Sequence, residues 1–200
     1  MKKLTLILAI LISFNLQAQK IKLKSGDLGF LKGQKNILVE FVYPDNMKVG
    51  KMTEEAYIKK KTKDLNKKKS GDGDRWLKLW KGDRPDHYHP KFIELMNKGL
   101  IKNHVKVSED TEKAKYKMVV TTTFIEPGFN VGVMRRDASI NLEISFYEIG
   151  SDKELAKFTL MKSPGRTMGG VDFDTGFRVG ESYAKAAKSF AKYLMKKKAF

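Results

Sequence analysis

The stretch SINLEISFYEI, residues 139–149, decides the fold because its apolar and polar side chains alternate from Ser139 to Tyr147. Successive side chains point to opposite faces of a β-strand, so the two kinds separate onto two faces. The apolar face carries Ile140, Leu142, Ile144 and Phe146, and the polar face carries Asn141, Glu143, Ser145 and Tyr147. This pattern predicts an antiparallel strand with one face in the core and one toward solvent.

Flanking segments extend this strand into a sheet. Residues 116–125 are rich in β-branched side chains and residues 155–161 alternate again, which together predict an antiparallel meander. Residues 20–24 alternate lysine with apolar residues, as a protected edge strand does. Residues 36–43 form a continuous apolar run, which predicts a strand buried on both faces. Val105 and Val107 indicate one more short strand.

The last helix is predicted over residues 176–197, where apolar side chains recur with the helical period. The opposite face of this helix is basic and carries Lys185, Lys188, Lys192 and Lys196. We predict that the helix packs on the sheet and that Lys185, Lys188 and Lys192 form a candidate binding surface. Contact with a membrane surface is the alternative interpretation.

Further helices are predicted to begin at Thr53, whose hydroxyl can cap a helix, and at Pro90, which suits a first helical turn. Loops are predicted at residues 70–74 and 82–86. The element order indicates an α+β fold, a two-layer sandwich of a mainly antiparallel sheet with helices packed on one face. We expect a single domain over residues 19–200, with a mobile insertion near residues 66–90.

The N-terminal residues 1–18 are typical of an export signal. Lys2 and Lys3 precede an apolar run that ends near the small residue Ala18, and the run is shorter than the roughly 20 residues that span a membrane. We expect cleavage before Gln19 and a periplasmic or secreted protein, with an uncleaved anchor as the alternative. The chain has no cysteine, which excludes disulfides and lipid attachment at a cysteine.

The formal net charge is +17, and six of the 40 basic residues are arginine. Nucleic-acid readers favour arginine, whose planar fork matches phosphate and base edges, so this composition argues against a nucleic-acid partner. An excess of lysine can attract an anionic envelope polymer, or can serve only as a solvated surface.

Histidines are the candidate metal ligands. His87 and His89 lie two residues apart before a predicted helix, and His104 follows that helix. A catalytic zinc ion takes three protein ligands, so His104, Asp83 or Asp86 would complete a site. A polar loop before the helix is the alternative interpretation of the pair.

Two aromatic residues and two arginines are candidate binding residues. Trp76 and Trp80 share one face on either a helix or a strand, and could stack on a sugar ring or pack in the core. Arg135 and Arg136 lie in the connection 126–138 and could hold a carboxylate or phosphate, or could belong to a solvated turn.

Catalytic motifs are absent from the sequence. The glycine-rich residues 163–180 match neither a P-loop nor a dinucleotide fingerprint, and neither a nucleophile elbow nor H-E-x-x-H occurs. We therefore expect no cofactor and a non-enzymatic protein of the cell envelope that binds another protein or an anionic envelope component. A glycan-binding module using the tryptophans and a metal-dependent hydrolase using the histidines are the alternatives.

The chain also resembles proteins of a known group in residues 115–132, with Thr121-Thr122-Thr123 and Glu126-Pro127-Gly128, and in its closing helix. These features are similar to small uncharacterised exported proteins of Bacteroidetes-type bacteria. The element order resembles small α/β envelope-assembly modules such as the N-terminal domain of the TolB family. The resemblance implies an envelope location and assigns no functional residue.

Overall fold

The computed structural model describes residues 19–165 and 174–200 as a sheet covered on one face by helices. The predicted signal, and residues 166–173 of the glycine-rich segment, lie outside the described residues. The strands are β1 Lys20–Gly26, β2 Asn36–Val42, β3 Lys48–Val49, β4 Met52–Thr53, β5 Lys106–Ser108, β6 Tyr116–Glu126, β7 Phe129–Asn130, β8 Arg135–Arg136, β9 Ala138–Glu148 and β10 Glu154–Gly165. The helices are α1 Glu54–Lys68, α2 Asp72–Asp83, α3 His89–Leu100 and α4 Thr175–Lys196.

The sheet has the strand order β1–β10–β9–β6–β2–β5. Strands β6, β9 and β10 pair antiparallel, as the alternating segments predict, and β1 closes that edge against β10. Strand β2 runs parallel to both of its neighbours, β5 and β6. The α+β class and the mainly antiparallel sheet are confirmed, with a parallel portion on the β2 side.

Burial follows the alternation in β9, where Ile140, Leu142 and Ile144 are fully buried under the helices. The prediction that residues 36–43 are buried on both faces is wrong. In β2, Ile37 and Val39 are buried, while the alternating residues Asn36, Leu38 and Glu40 remain partly exposed. A run of apolar residues does not show whether the second face of a strand is covered.

Helix α4 supplies the centre of the helical layer. Its apolar face, with Val179, Tyr183 and Phe190 fully buried, packs on β9 and β10 and on helix α3. The Asp174 carboxylate caps the helix by accepting a hydrogen bond from the backbone N–H of Phe177 at 3.2 Å. The predicted amphipathic helix is confirmed within two residues at each end.

Helices α3 and α4 approach each other closely at a glycine. A Cβ atom placed on Gly99 of α3 would lie 2.5 Å from the Cβ of Ala191 on α4. Only a residue without a side chain fits there, because carbon atoms in contact normally stay about 3.5 Å or more apart. This contact sets the spacing between the two helices.

The predicted loops at residues 70–74 and 82–86 are wrong, because both lie mostly in helix. Helix α2 occupies residues 72–83, and a π-helical turn, Arg84–Tyr88, joins α2 to α3. The side-chain carbonyl of Asn66 accepts a hydrogen bond from the Gly73 backbone N–H at 2.7 Å and thereby caps α2 from the neighbouring helix. A contact with the end of the preceding helix thus overrides the turn-forming tendency of the glycine and aspartate residues. None of the helices in the described ranges is long and apolar enough to cross a membrane.

Candidate functional site

A groove with a volume of about 410 Å³ lies between α3, α4 and the end of β10. Its walls are basic and its floor is apolar. The lining residues are Lys91, Leu95, Pro164, Glu181, Ala184, Lys185 and Lys188. Two of the lysines predicted as binding residues, Lys185 and Lys188, are therefore part of a concave site rather than of a flat surface.

The charge in this groove is positive. Lys91 forms an ion pair with Glu181, at 3.3 Å between Nζ and the carboxylate. Lys185 and Lys188 are exposed and have no ion-pair partner among residues 19–165 and 174–200. Two positive charges in the groove are therefore uncompensated within the described chain.

Local helix geometry places these groups. Lys185 and Lys188 are three residues apart and lie on one face of α4, while Ala184 is small enough to leave the floor open. Lys91 and Leu95, four residues apart on α3, form the facing wall. The groove could hold a carboxylate, sulfate or phosphate against the lysines, with an apolar part of the same ligand on the floor. Lys192 is exposed on the same helix but does not line the groove.

A separate polar cluster lies beneath the α1–α2 pair and centres on Glu54. The Glu54 carboxylate accepts hydrogen bonds from Trp80 Nε1 at 2.7 Å and from the Arg84 guanidinium at 2.6 Å. The same guanidinium lies 3.9 Å above the centre of the Tyr43 ring. These contacts satisfy each charged group and hold α2 to the start of α1, so we interpret the cluster as structural.

His89 belongs to a chain of polar groups that leads into the core. Its Nδ1 lies 3.0 Å from the Glu109 carboxylate, and its Nε2 lies 3.2 Å from the Tyr43 hydroxyl. The Tyr43 hydroxyl lies 3.5 Å from that of Tyr183, which in turn lies 2.6 Å from the Thr122 hydroxyl. Burial lowers the pKa of His89 although Glu109 opposes the shift, and burial raises the pKa of Tyr183 to about 12. With both ring nitrogens engaged, His89 has protein partners at the atoms that would bind a metal.

His87 pairs with an acid one helical turn away. Its Nδ1 lies 3.2 Å from the Asp83 carboxylate, which packs against Gly176 at the start of α4. Burial, assisted by the nearby Asp174 carboxylate and opposed by His87, raises the pKa of Asp83 to about 6. Over residues 19–165 and 174–200, no group of three histidine, aspartate or glutamate side chains is placed to hold a metal ion. The predicted set of His87, His89 and His104 is not assembled there.

The tryptophans lie in α2 and stack on each other, with ring centres 5.6 Å apart. Trp80 is buried, and Trp76 is partly buried against Tyr57 of α1. The Trp80 ring is therefore covered by protein and does not offer a face to a sugar. We interpret the pair as the packing contact between α1 and α2.

The predicted arginines lie in β8, which pairs with β7 as a short ribbon beyond the main sheet. The Arg135 guanidinium contacts Asp137 at 3.0 Å, and that of Arg136 contacts Glu126 at 3.2 Å. Each arginine thus already contacts a carboxylate of its own connection. The ribbon brings neither of them to the groove.

No family model matches the chain, and no curated protein matches it. Among solved structures, the PelC dodecamer from Paraburkholderia phytofirmans is similar at 11% identity and a TM-score of 0.41, covering 86% of this chain and 96% of that chain. A neuraminyllactose-binding hemagglutinin homolog from Helicobacter pylori is similar at 16% identity and a TM-score of 0.29, covering 82% and 89%.

Several groove residues are absent from the sequence-based predictions. Lys91, Leu95, Pro164 and Glu181 come from three separate elements, and the packing of α3 and β10 against α4 brings them together. The helical spacing of Lys91 and Leu95 is a signal present in the sequence, but it does not show which helix lies opposite.

Proposed function

We propose that this chain is an exported, non-enzymatic binding protein of the cell envelope that holds an anionic envelope component in the groove between α3 and α4. The observation that carries this proposal is the pair Lys185 and Lys188, whose charges face a concave site without an ion-pair partner in the described ranges. Lysine is a hydrated point charge that suits anionic groups of varied geometry.

The apolar floor supports a ligand that is more than a free ion. Leu95, Pro164 and Ala184 give the groove an apolar base, against which the body of a sugar or lipid can pack. Among the described residues, the side chains that line the groove include neither histidine nor a hydroxyl nucleophile, and this lining suits binding better than catalysis. The export part of the proposal depends on the signal-like residues 1–18.

The binding test uses the double variant Lys185→Glu/Lys188→Glu against envelope polysaccharide and anionic lipid vesicles. Reversing both groove charges should lower the affinity at least about tenfold, and the affinity of the intact protein should fall with added salt. Lys192→Glu/Lys196→Glu changes the charge of the same helix by the same amount outside the groove, and should weaken binding much less. Equal losses in the two variants would reject a localised site.

The location test is a mass measurement of the protein from fractionated cells. We expect a product that begins at Gln19 in the periplasmic or secreted fraction. An intact product that retains Met1 in the cytosol would overturn the export part of the proposal and leave the groove unaffected.

A further inference from the structure

Helix α1 bears a second groove, with a volume of about 310 Å³. Its lining has the same makeup as the groove between α3 and α4, namely three lysines, three apolar side chains and one acid. The residues are Met52, Tyr57, Lys60, Lys61, Asp64, Leu65 and Lys68. The two grooves share no residue, so they are separate sites of equivalent chemistry.

The balance of charge also repeats. The single acid, Asp64, is paired with Lys60 one helical turn away. Lys61 and Lys68 have no ion-pair partner among the residues that the structure describes. Each groove therefore presents two uncompensated positive charges beside an apolar floor.

The lysine content of α1 is more than its folding requires. Six of the residues 59–68 are lysine, and helix Glu54–Lys68 contains no buried residue. Like charges three or four positions apart destabilise a helix, so this density opposes helix formation. An anionic ligand would offset the repulsion between the lysine side chains by attracting them. A helix that only covered α2 would be more stable with both acidic and basic side chains on its surface.

The floor of the α1 groove indicates the class of ligand. The Tyr57 ring is fixed edge-on to Trp76, with centres 5.8 Å apart, and remains partly exposed at the groove. A rigid aromatic side chain of this kind presents a large apolar surface with a polar end. A sugar ring that carries a carboxylate matches both features, since its ring can pack on Tyr57 while its charge faces Lys61. This match favours an acidic polysaccharide over an acidic peptide.

We infer that the α1 groove is a second binding site for the ligand of the α3–α4 groove, and that this ligand is a linear acidic polysaccharide held at both sites. The inference rests on the proposed function and deepens it. A polymer that engages both grooves gains effective concentration for the second contact, which raises its overall affinity without any new interaction.

The test measures the binding of oligogalacturonates, either short (about 4 units) or long (about 30 units), by calorimetry on the mature chain. We expect two short oligomers per protein, and a long polymer that binds at least about 100-fold more tightly than a short one. Lys61→Glu/Lys68→Glu should reduce the short-oligomer stoichiometry to one and abolish most of the advantage of length. Lys63→Glu/Lys67→Glu, on exposed positions of the same helix outside the groove, is the matched control.

The outcomes separate the two proposals. If Lys61→Glu/Lys68→Glu binds both lengths like its control while Lys185→Glu/Lys188→Glu loses binding, this inference is overturned and the proposed function stands. If neither groove variant differs from its control, both proposals fall. Polyglutamate of matched length tests the peptide alternative, and tighter binding of polyglutamate at the α1 groove would overturn the assignment to a polysaccharide. Circular dichroism of every variant shows whether α1 and α4 remain folded.

Discussion

The close contact of α3 with α4 at Gly99 predicts a measurable penalty for one added methyl group. In Gly99→Ala the new Cβ would lie 2.5 Å from the Ala191 Cβ, about 1 Å inside ordinary carbon contact. The helices must then separate, and overpacking of this size costs about 1–3 kcal/mol. The higher helix propensity of alanine offsets about 1 kcal/mol of that cost.

Because the two effects oppose each other, the informative quantity is the coupling with the partner residue. Ala191→Gly alone should lower the free energy of unfolding by about 1–2 kcal/mol, since it weakens the helix and removes a buried methyl group. Gly99→Ala/Ala191→Gly moves the methyl group from α4 to α3. Residue 191 then has no Cβ for the new Cβ of residue 99 to clash with. We therefore expect the double variant to be more stable than the sum of the single changes by about 1–3 kcal/mol.

Urea denaturation of the unmodified protein, the two single variants and the double variant provides these free energies of unfolding. The comparison requires that the dependence of the free energy on urea concentration be the same in all four proteins. Gly180→Ala is a control on α4, the helix that carries Ala191. Its added Cβ would lie 3.5 Å from His87 Cβ, which is an ordinary contact distance. That control should be neutral or stabilising by up to about 1 kcal/mol. Additivity of the Gly99 and Ala191 changes within about 0.5 kcal/mol would refute the packing argument.

Three further predictions concern charge and exposure. Because burial raises the pKa of Asp83 to about 6 from 3.8, the folded state binds this proton more readily than the unfolded state, and the free energy of unfolding should fall as pH rises from about 4 to about 6. Thermal melts of Asp83→Asn across that range should lack this component, and identical pH profiles for the two proteins would contradict it. Glu54→Ala leaves the Arg84 guanidinium without its carboxylate and should cost about 3 kcal/mol in urea denaturation, whereas the neighbouring exposed Glu55→Ala should change stability by less than about 0.5 kcal/mol. Val133→Ser removes an apolar side chain that is 94% exposed, so the variant should have the melting temperature of the unmodified protein. A large decrease in melting temperature would show that the tip of the β7–β8 ribbon packs against another surface.

The elements that could be predicted are those whose signal is local. The alternation of residues 139–149 and the helical period of residues 176–197 each indicate both the element and its buried face. Such periodicity survives into the structure because burying one face is the dominant source of stability for both elements.

The elements that could not be predicted depend on contacts between one element and another. Helix α2 has a glycine- and aspartate-rich start, and its first backbone N–H groups are satisfied partly by Asn66 of the preceding helix. The pairing of His87 with Asp83 has helical spacing, but it has meaning only once that segment is known to be helical. The exposed second face of β2 likewise depends on where the helices pack.

The candidate site divides in the same way. Lys185 and Lys188 could be predicted as exposed because the period of α4 places them opposite its apolar face. The concavity around them could not, because it exists only where Lys91 of α3 and Pro164 of β10 meet α4. Of the histidine and tryptophan candidates, His87, His89 and Trp80 have side-chain partners within the fold, namely Asp83, Glu109 and Glu54.

Helix α4 also dictates the order in which the molecule can fold. It is the last element of the chain, yet Val179, Tyr183 and Phe190 fill the middle of the core beneath β9 and β10. A nascent polypeptide that ends before residue 175 would leave that surface open to water and gain little from collapsing. Stable folding must therefore wait until residues 175–196 have left the ribosome and can cover the sheet.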